Sequence, residues 1–148
     1  MSNPRVWRAS EPNPAKRYLM EYQSLVKRRD ALLDELDRLH DANQRATSRL
    51  TATRLSGTGG HGSFEDGAIR VVDAEGALNA VILNIDCCLA ERLGVIDRVP
   101  DMQQRLVLTL RYIKGMSWED IAKEIFRTES LVFEIHGHAL QAIAKVRS

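Results

Sequence analysis

From Gln104 to Ala122 the sequence reads QRLVLTLRYIKGMSWEDIA, and the fold turns on this stretch. Asp101 supplies a cap for an apolar helix that runs to Lys114, and Gly115 ends it. Ser117 caps a second helix from Trp118 to Phe126, with Asp120 at the capping-box position, and Thr128 caps a third from Glu129 to Val146. Two such helices joined by a short connector, with a helix before them that packs across both, have the layout of a helix-turn-helix unit. The spacing therefore predicts a three-helix domain over 101–148.

On its amino-terminal side lies DRVPD, Asp97 to Asp101, in which Pro100 forbids helix continuation. Before that, Ala68, Val71, Glu75, Leu78, Ile82, Ile85, Leu89, Arg92 and Ile96 step by three and four, with Val72, Leu83 and Leu93 widening the stripe. This helix is expected to begin near Phe64, capped by Ser63 with Asp66 at the box position. Earlier still, Ala15 to Leu55 contains neither glycine nor proline. There Tyr18, Tyr22, Leu25, Arg29, Leu32, Leu36, Leu39, Asn43, Ala46 and Leu50 form a heptad seam, with Arg29 and Asn43 as polar positions that can fix register. SGTGGHGS, Ser56 to Ser63, reads as a flexible turn between the two long helices. Residues 15–98 are thus expected to form a long antiparallel, coiled-coil-like helical hairpin with its Gly-rich loop at 56–63. Its seam closes on itself, recruits a second copy, or does both.

Residues 1–14, with Pro4, Pro12 and Pro14, read as a flexible tail whose one adhesive feature is Trp7. Trp7 is either a docking spot or folds back on the nearest helix. With no alternating strand pattern anywhere, the fold class is all-α.

The 148 residues carry a formal net charge of +1, but that charge is polarised. Basic and acidic residues number 11 and 7 from Met1 to Leu55, 3 and 8 from Ser56 to Gln104, and 7 and 5 from Arg105 to Ser148. Aromatic residues make up 5%, too few for a large aromatic-lined substrate pocket. No apolar run approaches the roughly 20 residues of a membrane span, and the amino terminus has no signal-like apolar core, so a cytoplasmic location is expected. Cys87 and Cys88 are adjacent on a helix, where their side chains diverge by about 100° and do not pair.

The run from Gln104 to Ala122 resembles the fourth conserved region of bacterial primary sigma factors, in which an apolar helix ends in Leu-Arg-Tyr/Phe before a glycine turn, a Ser/Thr cap, an acid and Ile-Ala. Val132, Ile135 and Ala139-Leu140 stand where that family buries its third helix. More of the chain resembles the phage-encoded sigma-like regulators of late transcription, of the RinA and ArpU kind. Their order of elements recurs here: a long amino-terminal helix, the Gly-rich and acidic-apolar segment GTGGHGSFEDGAIRVVDAEGALN, and the terminal Ile135-His136-Gly137-His138-Ala139-Leu140. The resemblance implies a domain in the bacterial host cell whose third helix enters the major groove of promoter DNA while the first two contact phosphates. It also implies contact with RNA polymerase.

The periodicity of the third helix turns Val132, Ile135, Ala139, Ile143 and Val146 inward and leaves Ser130, Phe133, Glu134, Gly137, His138, Gln141 and Lys145 outside. On that outer face Gln141 is suited to read adenine and Glu134 to accept from cytosine, while Ser130 and the helix amino terminus suit a phosphate. Arg111, Lys114, Lys123 and Arg127 are candidate phosphate contacts, and Ser117, Thr128 and His138 complete the candidate DNA-binding set. The chain departs from the family in one respect: Thr128 to Ala144 holds no lysine or arginine and two glutamates. Leu131 and Phe133 there suit either thymine methyls or a protein partner.

Other constellations read as ordinary structure. His136 and His138 lack the three- or four-residue spacing and the third ligand of a helical metal site, so packed or capped histidines are expected and no metal or cofactor is. His40 and His61 have no acidic or cysteine companions. No catalytic triad, phosphate loop or paired-carboxylate site is present in the sequence, and no enzyme is expected. Trp118 reads as a wedge between the first two helices of the motif, and Lys27-Arg28-Arg29 as a solvated face. Two functions stay open: a sigma-like regulator that binds promoter DNA, expected as a homodimer through the hairpin, and an interaction module of the same fold that binds polymerase or another regulator. A phage packaging subunit is a third.

Overall fold

The computed structural model describes residues 13–53 and 61–148. Among them every element is helical: α1 (Pro14–Thr53), α2 (His61–Asp97), α3 (Met102–Leu108), α4 (Trp118–Glu124) and α5 (Glu129–Arg147), with a π-helical turn, Thr109–Ile113, continuing α3. None of these helices is long and apolar enough to cross a membrane.

Pro14 is the first helical residue of α1 rather than the end of a tail. Its missing N–H is no loss at that position, and Asn13 caps the helix by accepting the Ala15 amide at 2.9 Å on Oδ1. The rest of the tail expected over 1–14, with Trp7, and the Gly-rich residues 56–60 lie outside the described residues. α2 begins at His61, three residues before the expected Phe64, because one glycine in a first turn costs only about 1 kcal/mol and helix propagation outweighs it. Ser63 therefore lies inside α2 instead of capping it.

By packing, the chain divides into two units. The first contains 13–24 and 86–148, so the boundary expected at 98–101 is crossed. Pro100 interrupts the helix but not the core: Ala15 and Leu19 of α1, Ile96 of α2 and Val99 share one buried cluster with Leu108, Tyr112, Ala139, Leu140 and Ile143. A second cluster joins Val107 and Leu110 to Ile121 and Ala122 of α4 and Val132 and Ile135 of α5. The α3 segment thus buries neighbouring residues into two different cores. Each fully buried leucine or isoleucine contributes about 1.5–3 kcal/mol.

Polar groups tie this unit together. Arg92, 5% exposed, pairs with Glu21 and Glu91, donates from Nε to the Tyr18 carbonyl at 3.2 Å, and lies 3.9 Å from the centre of the Tyr18 ring. Arg147 of α5 also stacks on that ring, at 3.6 Å. Gln23 Nε2 donates to the carbonyls of Tyr112 and Ile113, at 3.1 and 2.9 Å, satisfying acceptors that the end of a helix leaves unpaired. Gly115, at φ +71°, then turns the chain in a conformation that only glycine adopts without strain.

The second unit contains residues 25–53 and 61–85. Along α1, Leu25, Arg29, Leu32, Leu36, Leu39, Asn43, Ala46 and Leu50 are all buried or half-buried, as the heptad seam requires. On α2 the seam is displaced: Gly67, Val71, Ala74, Leu78, Val81 and Ile85 are covered, whereas Ala68, Val72, Glu75, Ile82 and Leu83 are exposed. Farther along α2, Cys88 is buried and Leu89, expected on the seam, is half-buried. Asn43 donates to the Gly67 carbonyl at 3.4 Å, and a methyl group on Gly67 would run into the Asn43 side chain. Both cysteines are free, Cys87 exposed and Cys88 buried.

Candidate nucleic-acid interface

The three short helices carry the expected caps. Asp101 Oδ1 accepts the Gln104 amide at 2.9 Å, Ser117 Oγ the Asp120 amide at 3.2 Å and Thr128 Oγ1 the Leu131 amide at 3.3 Å. Each fixes where a helix starts and hence which way its faces point. On α5 the buried residues are Val132, Ile135, Ala139, Leu140 and Ile143, with Val146 half-buried. Ser130, Phe133, Glu134, Gly137, His138, Gln141 and Lys145 are exposed, so the structure brings Ser130, Glu134, His138, Gln141 and Lys145 together as one polar stripe.

The flanking candidates differ from one another. Lys114 and Arg127 are exposed. Lys123 is exposed but bonded to Glu119 at 3.0 Å one turn back, and that carboxylate raises its pKa. Arg111 is half-buried: its guanidinium stacks 4.3 Å from the Trp118 ring centre and donates to the Met116 carbonyl at 2.9 Å. Its charge serves the fold first. Ser117 and Thr128 use their oxygens as caps, which leaves each hydroxyl proton to donate. Leu131 is half-buried against the second cluster, whereas Phe133 is 47% exposed.

Trp118 does more than wedge two helices. Its ring meets Phe133 at 5.1 Å and His136 at 4.6 Å between centres, so it also braces α5 from below. His136 Nε2 is 2.6 Å from the Tyr112 hydroxyl. Burial pushes the Tyr112 phenol up to about 12, so it keeps its proton beside the imidazole. Burial first, then the charges of Lys16 and Arg111, lowers the His136 pKa to about 4. This histidine is a neutral, packed strut. No group of three metal-ligating side chains occurs among the described residues.

Phe126 is a surface feature that the sequence does not announce. It ends α4 two residues after the last helical position, at φ +57° and 91% exposed. Its amide bonds to the Lys123 carbonyl at 3.3 Å and the next amide, of Arg127, to the Ala122 carbonyl at 2.9 Å, the paired bonds of a Schellman cap whose left-handed residue is usually glycine. An L side chain in that conformation costs about 1–2 kcal/mol, and this one buries almost nothing in return. Phe126→Gly is therefore expected to stabilise the chain by about 1 kcal/mol, read as a raised thermal midpoint. A lowered midpoint would mean that the ring packs.

No family model, curated protein or solved structure matches this chain.

The candidate interface therefore rests on its own geometry. A 19-residue helix, braced beneath by Trp118 against its own His136, presents a polar stripe with hydrogen-bonding groups of both senses. Its stripe carries one lysine and one glutamate, Lys145 and Glu134, and Lys123 and Arg127 are exposed cations that lie off it.

Proposed function

We propose that this chain is a sigma-like transcription regulator of phage kind, acting in the cytoplasm of a bacterial host. In this reading 15–98 is an antiparallel hairpin through which it self-associates. The domain that follows is a helix-turn-helix that lays α5 in the major groove of promoter DNA and contacts RNA polymerase. The observation that carries the reading is the exposed stripe Ser130, Glu134, His138, Gln141 and Lys145 on a helix whose other face is wholly committed to the core. Side chains of these types reach base edges: Gln141 matches adenine, Glu134 matches the cytosine amino group, and Lys145 matches guanine or a phosphate. Arg127, Lys123 and Lys114 supply backbone charge, and Ser117, Thr128 and Arg111 hold the elements that aim them.

The test is a duplex-binding titration. Replacing both Gln141 and Lys145 with alanine is expected to reduce specific affinity by about 1–3 kcal/mol and to flatten the preference among sequences. Unchanged discrimination would remove both residues from the readout. Wild-type affinity for a random duplex is expected to fall as salt rises, in proportion to the phosphates contacted.

Two observations favour a second reading, a protein-interaction module on the same fold. Phe133 and Phe126 are both solvent-exposed aromatics, and α5 has no basic residue before Lys145. Retention of a polymerase subunit in high salt, abolished by Phe133→Asp, supports this reading. Retention by that variant counts against the surface.

A further inference from the structure

One face of α2 in the second unit is apolar, uncovered by any described residue and arranged symmetrically. Ile69, Val72 and Leu83 are 58%, 65% and 67% exposed, large values for branched side chains in a long helix. Gly76 and Ala80 lie between them and are also exposed. A side chain built on Gly76 would meet nothing within 4 Å among the described residues, so none of them requires a glycine there. In a helix interior that glycine costs about 1 kcal/mol relative to alanine.

The spacing is what identifies the occupant. Relative to Gly76, Val72 and Ala80 lie four residues before and after, and Ile69 and Leu83 seven before and after. Offsets of four and seven return to within about 40° and 20° of the same direction on a helix, so these five residues make one narrow stripe. A two-fold axis through Gly76 would bring residues at equal distances before and after it together. Ile69 then meets Leu83 of the other copy, Val72 meets Ala80, and the two glycines meet at the centre, where the absence of side chains lets the helices approach closely. Large faces large at the ends and small faces large or small inside. An isologous dimer requires such self-complementarity, and an unrelated partner does not. The ten residues from Gly76 to Ile85 carry no charge, while Asp73 and Glu75 border the stripe.

The geometry points to this stripe as the surface through which two copies of the chain pair, with their α2 helices antiparallel and crossing at Gly76. The inference rests on the self-association proposed above and is independent of DNA binding by α5. It also separates the two apolar faces of α2: the one through Val71, Leu78, Val81 and Ile85 is covered within the chain, and the one through Ile69, Val72 and Leu83 is for the second copy. Because Asp73 and Glu75 place like charges on both sides of the pair, raising salt strengthens association, the opposite of its effect on phosphate contacts.

The experiment is sedimentation velocity on the full chain, with circular dichroism confirming that each variant is folded. Wild type is expected to be a dimer that tightens with salt. Leu83→Glu alone and Ile69→Lys alone are each expected to weaken it at least tenfold. The double variant Ile69→Lys/Leu83→Glu is expected to recover the dimer, because the axis sets each new lysine opposite a new glutamate. A monomeric wild type at the highest soluble concentration overturns both this surface and self-association. A wild-type dimer that survives both single changes overturns this surface alone, and single variants that dissociate without recovery in the double overturn the register.

Discussion

Leu19→Ala is expected to lower the unfolding free energy reported by Trp118 by about 2–5 kcal/mol, the range for emptying a fully buried leucine site. Leu19 has no exposed surface and packs with Ile96, Leu108, Tyr112 and Ile143, residues of α2, the α3 segment and α5. Trp118 borders the other cluster, which shares the α3 segment and α5 with it. If the three short helices fold with the first turns of α1, a cavity at Leu19 shifts the Trp118 transition even though the two residues are in different clusters. Urea unfolding of Leu19→Ala in a Trp7→Phe background isolates that signal. An unshifted transition would mean that 101–148 folds without α1, which the shared core argues against. Leu33→Ala, at a 43% exposed position of the same helix, is the control and is expected to change little.

The second large effect is on pH dependence. His136 has an ordinary pKa of 6.5 and one of about 4 in the fold. Above pH 6.5 both the folded and unfolded chains hold it neutral, and it contributes no slope. Between 6.5 and about 4 the unfolded chain takes up a proton that the folded chain refuses, so stability falls as the pH falls, by at most about 1.4 kcal/mol per unit. The ring is only partly covered, so solvent screening reduces the total to about 2 kcal/mol. Urea midpoints at pH 7.5, 6 and 5 check this, with His136→Gln as the non-titrating comparison. The wild type should lose stability toward pH 5 more steeply than the variant, and equal slopes would assign the acid sensitivity elsewhere.

These effects depend on contacts between elements distant in the chain, and such contacts are where the sequence was least informative. The seam of α1 was legible residue by residue, since Leu36, Leu39 and Leu50 are isolated apolar positions among polar ones and only one face collects them with Leu25 and Leu32. On α2 the runs Val81-Ile82-Leu83 and Cys88-Leu89 offer adjacent apolar residues, so periodicity fits more than one register, and packing selected Val81 and Cys88. The outward-facing stripe of α5 and the three caps were legible for the same local reason. Phe126 was not, because the left-handed cap has no glycine to announce it. Nor were the partners of Trp118 on α5, or the stacking that withdraws Arg111 from the solvated cations, since spacing along one helix says little about what lies across from it.

The π turn at Thr109–Ile113 has a consequence for how this chain tolerates changes in length. Its signature is the Lys114 amide bonded five residues back, to Thr109 at 3.0 Å. A π turn is an α-helix holding one surplus residue, with the flanking segments still in phase. Removing a residue from an ordinary helix rotates everything downstream by about 100°. Removed here, it would relax the turn to α-helix and leave Gly115, the Ser117 cap and the aim of α5 as they were. The chain can therefore lose one residue at this point without redirecting the face that the carboxy-terminal helix presents.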